Sequence, residues 1–219
     1  PHDEAGAKGN REDGAGPDLA EQHGALLVPA FAIGRTQELI YHIRELEDEK
    51  RIPILPVRVD SPMAAAATQI YSQRKEEHDE EYVSVLAGKR HPLRTHSMVT
   101  ASSREESKRL NEERGARIIV SASGMMTGGR VLHHARRILP DERATVLFVG
   151  YQAAGTTGRR VLDGAREVPI MKENVPVRLV DTNAANIAAL DAMGLPASLG
   201  DATDLRWVDG IVGLPQTGR

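Results

Sequence analysis

Four short segments carry the residue types from which an oxyanion site could be built. They are FAIGRT at 31–36, SPMA at 61–64, SGMMTGGR at 123–130 and YQAAGTTGRR at 151–160. Each joins small residues to a helix start, and three of the four bring an arginine, Arg35, Arg130 and Arg159. Free amides at a helix N-terminus favour anions, and glycine lets an oxyanion come close to the backbone. An arginine beside them adds a charge-assisted contact to phosphate. Taken singly, each segment reads as an ordinary tight turn with a solvated arginine. Taken together on one edge, the four make an anion-binding rim.

Other chemistries fit less well. Gly124–Val131 approaches the phosphate-cradling pattern G-x-x-x-x-G-K-[ST], but Arg130 replaces the lysine and Val131 the metal-binding hydroxyl. A P-loop nucleotidase is therefore not expected. The eight histidines are scattered. His133 and His134 are adjacent, hence about 100° apart on a helix, and read as one packed and one exposed side chain. No metal-ligand spacing is present. Ser123 lacks the G-x-S-x-G frame of a nucleophile elbow. Asp60-Ser61-Pro62 reads as a strand end followed by a helix cap and a first-turn proline.

The rim depends on elements that bring the segments to one edge. ALLVPA, ending at Ala30, is a compact apolar run expected to form a buried strand. From Gly34 a helix is expected, with Leu39, Ile40, Ile43 and Leu46 on one face. PILPVRVD forms the next strand, to Asp60, followed by a polar helical stretch over Gln73–Leu86 and a strand near Leu93–Val99. Ser102 or Ser103 caps the charged helix SREESKRLNEER. ARIIVSAS forms a strand to Ser123, a helix starts near Gly129, and TVLFVG forms a strand to Gly150. A short helix over Arg160–Ala165 follows, then a hairpin of EVPIM and VPVRLVD turning at Lys172–Asn174. This alternation predicts an α/β fold with a mainly parallel sheet flanked by helices, whose strand ends all face one edge.

The chain of 219 residues supports one good core, or one core with a small appendage. Three parts are expected: a disordered tail over 1–24, a domain over 25–179, and a short βαβ appendage over 180–219. The tail is rich in Gly, Asp and Glu and has too few apolar residues to offset its ordering entropy. No apolar run is long enough to span a bilayer, and no secretory signal is evident. Cysteine is absent, which removes thiolate metal sites and fits a cytoplasmic location. A net charge of -3 argues against an indiscriminate nucleic-acid binder but leaves room for a local basic site. With two Phe, four Tyr and one Trp, RNA contacts are expected mainly at phosphate and sugar.

LLVPAFAIGRTQELIYHIREL, PVRVDSPMA, IIVSASGMMTGGRVLHH and VLFVGYQAAGTTGRR occur in the order and spacing of the β-CASP domain of metallo-β-lactamase-fold RNA-processing nucleases. Residues 25–178 carry the resemblance, which looks strongest to prokaryotic members related to the cleavage-and-polyadenylation endonuclease. It implies a Rossmann-like cap that clamps RNA over a two-zinc site, where the metals activate a water against a phosphodiester. It further implies that Arg35, Ser61, Ser123, Gly124, Gly128, Gly129, Arg130 and Gln152 lie near the RNA path. Arg159 joins them from the rim argument.

The departures matter as much. The H-x-H-x-D-H motif and the E-S-T-Y-G, S-A-H-x-D and H-G-E segments of the family's metal-binding half are absent. The expectation is an RNA-binding fragment with no metal site or cofactor of its own and no membrane association. A separate metallo-β-lactamase half would be its partner. Residues VDTNAANIAALDAMGLPASLGDATD resemble half of a potassium-transport regulatory nucleotide-binding domain, which leaves a nucleotide-sensing module built around Asp181 as one alternative. A partner-binding α/β domain is another. A natural fusion, a split protein and a misassembled reading frame all remain open.

Overall fold

A computed structural model describes residues 24–73 and 91–178. The expectations for the first 23 residues, for most of the Gln73–Leu86 helix and for the βαβ appendage with Asp181 lie outside these residues.

The described chain runs β1 (Ala25–Pro29), α1 (Arg35–Asp48), β2 (Val57–Asp60), α2 (Pro62–Gln73), β3 (Met98–Thr100), α3 (Arg104–Glu112), β4 (Arg117–Ser121), α4 (Arg130–Ile138), β5 (Thr145–Val146), α5 (Thr157–Leu162), β6 (Glu167–Ile170) and β7 (Glu173–Pro176). The first five strands form one sheet in the order β3-β2-β4-β1-β5, with every pairing parallel. β6 and β7 form a separate antiparallel hairpin. This is the α/β architecture that the alternating pattern predicts.

Alternation along the central strands feeds two cores, because successive side chains point to opposite faces. Leu26, Val28, Ile118 and Val120 face α1, whose Leu39, Ile40, Ile43 and Leu46 are all buried. Leu27 and Ile119 face the other way, onto Val131, Ala135 and Ile138 of α4, Val161 of α5 and the hairpin's Val168, Ile170 and Val175. Full burial of such a side chain contributes about 1.5–3 kcal/mol.

Helix starts follow local chemistry. The Ser61 hydroxyl accepts the Ala64 amide at 3.2 Å, with Pro62 in the first turn of α2. Ser103 caps α3 in a reciprocal capping box with Glu106. Gly34 and Gly129, both at φ 80°, stand at the caps of α1 and α4, which have no side-chain cap bond.

Six element boundaries differ from expectation, two of them strand starts: β2 begins at Val57 and not at Pro53, and β3 covers Met98–Thr100 and not Leu93–Val99. β5 stops at Val146 instead of Gly150. The Leu27 carbonyl accepts the Leu147 amide, so Pro29, two residues on, stands where the next donor to β5 would be and has none. β4 stops at Ser121, level with the end of its neighbour β1 at Pro29. The helix expected over Arg160–Ala165 begins earlier, because the Thr156 hydroxyl caps it by accepting the Arg159 amide. The hairpin turns at Met171–Lys172, both at positive φ, and not at Lys172–Asn174. Its register is set by Val168, Ile170 and Val175 all facing the core.

Candidate nucleic-acid interface

α1 and α2 pack on one face of the sheet and α4 and α5 on the other. The chain therefore leaves β4 towards one face, while it leaves both neighbours, β1 and β2, towards the opposite face. Crevices open at such switch points, outside the C-terminal ends of the strands. Two flank β4, and the four sequence segments line them.

The β2–β4 crevice is floored by a buried charge network. Asp60 is fully buried. Its Oδ1 accepts Arg130 Nη1 at 2.8 Å, and its Oδ2 accepts Ser107 Oγ at 2.6 Å and His134 Nε2 at 2.7 Å. Burial pushes this carboxyl up, but hydrogen bonds from His134, Ser107 and Arg130 outweigh it and hold the group below the usual carboxylate range. Arg130 also donates from Nη1 to Ala101 O and from Nη2 to Ser102 O, both at 3.0 Å. The guanidinium thus ties the ends of β2 and β3 to the start of α4. His134 is buried and His133 exposed. His134 Nδ1, on the far side of the ring, is buried and has no hydrogen-bond partner.

The crevice between β4 and β1, with β5 beyond, is pinned by Gln152. Its Nε2 donates to Gly124 O and to Gly150 O, each at 3.0 Å. Gly158 lies against it: a Cβ there would overlap Gln152 Oε1 and come within 3.0 Å of Met125 O, and the Gly158 amide donates to Met125 O at 3.0 Å. Gly124 sits under Phe31, whose ring and amide a Cβ would meet at 3.2 Å. The Ser123 hydroxyl accepts the Thr127 amide at 3.1 Å and closes the glycine loop on itself.

The expected site residues fall into three settings. Gly124, Gly128, Gly129 and Ser123 lie in one loop at the edge. Ser61 is a buried helix cap, Gln152 a buried loop tie, and Arg130 the partner of a buried carboxylate. Each of these three makes its hydrogen bonds within the fold. Their polar atoms satisfy backbone and carboxyl groups that tight packing removes from water. Arg35 and Arg159 stay at the surface, paired within their own helices to Glu38 at 2.7 Å and Asp163 at 2.8 Å. Exposed pairs of this kind contribute little and exchange partners readily.

Sequence reasoning passed over two aromatics. Phe31 follows β1 and is 48% exposed, and Tyr151 follows the β5 segment and is 73% exposed. Their scarcity in the composition hid the fact that both stand at the same edge. The available signal was their position, each being the first residue of a strand-end segment.

The described residues do not fit a zinc centre. Among the described residues no group of three or more His, Asp or Glu side chains could hold a metal ion. The Asp60 carboxylate is already occupied by Arg130, Ser107 and His134. No helix among the described residues is long and apolar enough to cross a membrane.

The Beta-Casp domain family model matches residues 36–161, which hold the Asp60 network, the glycine loop and Gln152. The chain belongs to the Beta-Casp family. Ribonuclease TTHA0252 of Thermus thermophilus is 34% identical over 157 residues, covering 72% of this chain and 36% of the ribonuclease. Transcription termination factor FttA of Methanosarcina mazei is 32% identical over 164 residues, 74% of this chain and 26% of the factor. FttA of Pyrococcus abyssi is 33% identical over 171 residues, 73% and 24% respectively. The aligned part therefore spans between about a quarter and a third of the length of these relatives.

Proposed function

We propose that this Beta-Casp chain is the RNA-holding cap of a two-zinc ribonuclease whose metal centre lies on a separate metallo-β-lactamase half. The observation that carries the reading is the meeting of loops at the C-terminal sheet edge. There the glycine loop 123–130 is clamped by Gln152 and Gly158 and flanked by exposed Phe31 and Tyr151. Such an edge suits single-stranded RNA: backbone amides and the exchangeable Arg35 and Arg159 for phosphate, and two rings for bases. Arg130, Ser61 and Gln152 act by positioning the loops. The similarity to a named ribonuclease and to termination factors supports the class of partner. Chemistry in the complete assembly would come from zinc acting on water, and this chain's contribution is to bind and orient the strand.

The test is fluorescence anisotropy of a single-stranded oligoribonucleotide with the wild-type chain and with Tyr151→Ala and Phe31→Ala. Loss of one stacked base should weaken binding by about 1–3 kcal/mol, with thermal stability unchanged because both rings are exposed. Wild-type protein that binds no RNA at low salt would overturn the reading. So would pure chain that carries stoichiometric zinc and cleaves the oligonucleotide unaided.

A further inference from the structure

The groove between α3 and α4 runs away from the β2–β4 crevice, with which it shares Arg130. Its walls are two helix faces. Arg104, Lys108 and Asn111 fall at i, i+4 and i+7 on α3, and Arg130, His133 and Arg137 at i, i+3 and i+7 on α4, so each set forms one stripe. Two hollows succeed each other along it. One of about 690 Å³ is lined by Arg104, Lys108, Gly129 and His133. Another of about 590 Å³ is lined by Arg114, Arg117 and Arg137, and Asn111 borders both. The first opens at Gly129, on the glycine loop. The second reaches Ala25 and Arg117, where β1 and β4 begin. The groove thus crosses the domain from one sheet edge to the other.

Its charge is one-sided. Arg104, Lys108, Arg114 and Arg137 are exposed, and none has an ion-pair partner among the described residues. The carboxylates lining the hollows, Glu113 and Asp141, are taken, as is nearby Glu173. Glu113 holds Arg58 at 2.8 Å, Asp141 holds Arg143 at 3.1 Å and Glu173 holds Arg136 at 2.7 Å. At the far end the Nε of Arg117 is buried without a partner. Burial pulls this guanidinium below its usual range; Glu113 opposes that, while Arg114, Arg137 and Arg58 add repulsion. An anion laid there would satisfy the orphaned donor and screen the repulsion.

We propose that this groove is a secondary track for the phosphate backbone of single-stranded RNA, continuing from the glycine loop to the Arg114–Arg117–Arg137 cluster. The inference rests on the RNA reading above and extends it beyond the crevices along the α3–α4 groove. A single small anion cannot occupy both ends, since α3 alone, from Arg104 to Glu112, spans about 12 Å at helical rise. The C-terminal ends of α3 and α4 lie towards the far hollow and disfavour anions there. That penalty decays within a turn, whereas three arginines act at contact range.

The experiment is a salt titration of RNA affinity with the full chain, using a short oligoribonucleotide and a longer one, for wild type, Lys108→Ala, Arg137→Ala and the double variant. These side chains are exposed and unpaired, so the variants should melt like wild type. For the longer oligonucleotide each substitution should flatten the slope of log K against log salt by about 0.7, and the double variant by about 1.4. The short oligonucleotide should bind all four proteins alike. Equal slopes for wild type and the double variant on the longer RNA, with Tyr151→Ala still weakening both oligonucleotides, would remove the track and leave the crevice reading standing. Flattened slopes in the double variant, with Tyr151→Ala having no effect on either oligonucleotide, would keep the track and remove the crevice reading. Poly-glutamate that matches the longer RNA in affinity and in sensitivity to the double variant would overturn the assignment to RNA.

Discussion

Arg130→Ala tests whether the Asp60 network belongs to the fold or to the ligand. The substitution removes Nη1 from Asp60 and leaves a fully buried carboxylate with only His134 and Ser107. It also strips the donors from Ala101 O and Ser102 O. Removing one partner of a buried ion pair costs about 3–5 kcal/mol. Arg130 is 22% exposed and two donors to Asp60 survive, so the cost falls at or below the bottom of that range, about 2–4 kcal/mol at neutral pH. In a chain of this size that lowers Tm by about 4–16 °C. The pH dependence has a definite sign. In the wild type, Asp60 lies below its ordinary 3.8, so its contribution is complete above that value and is lost as pH falls through the lower folded-state value. Without Arg130 the folded value rises, and the variant regains ground on acidification. The Tm gap should therefore be wide at neutral pH and narrow on the acid side. Circular dichroism melts of both proteins across that range provide the measurement. A variant that melts with wild type at neutral pH, or a gap that does not change on acidification, would refute this reasoning and return Arg130 to the surface as a phosphate ligand.

Gly158→Ala should destabilise the domain by about 1–3 kcal/mol, because its methyl group meets Gln152 and the Met125 carbonyl. Hydrogen exchange should speed up over residues 123–130 in particular, and unchanged protection there would mean that the loop is held by something else. Glu47 is buried with Oε1 unpartnered, and burial raises its carboxyl above the ordinary 4.5 despite the His96 amide. Its stability contribution is complete below that value and lost as pH rises through the folded-state value, so Glu47→Gln should melt above wild type at neutral pH and alongside it in acid. A Gln variant less stable at neutral pH would contradict this.

The architecture of this domain is written in short stretches of its sequence. Alternating apolar strands and amphipathic helices carry the parallel sheet. Serines before helix starts carry the caps at Ser61 and Ser103, and the four strand-end segments mark the edge where the crevices open. These features are local, encoded in periodicity and turn chemistry within a few residues, and a single chain displays them directly. The role of each polar side chain emerged only once the chain was folded. Asp60 and Arg130 are 70 residues apart in sequence and 2.8 Å apart in space. Gln152 and Gly124 meet across 28 residues. Nothing local separates an arginine that faces solvent from one that neutralises a buried carboxylate, because the difference is the desolvation of a partner supplied by another strand. The α3–α4 groove was hidden for the same reason. Its cations read as two ordinary charged helix faces until packing set one against the other and tied the neighbouring carboxylates to other arginines.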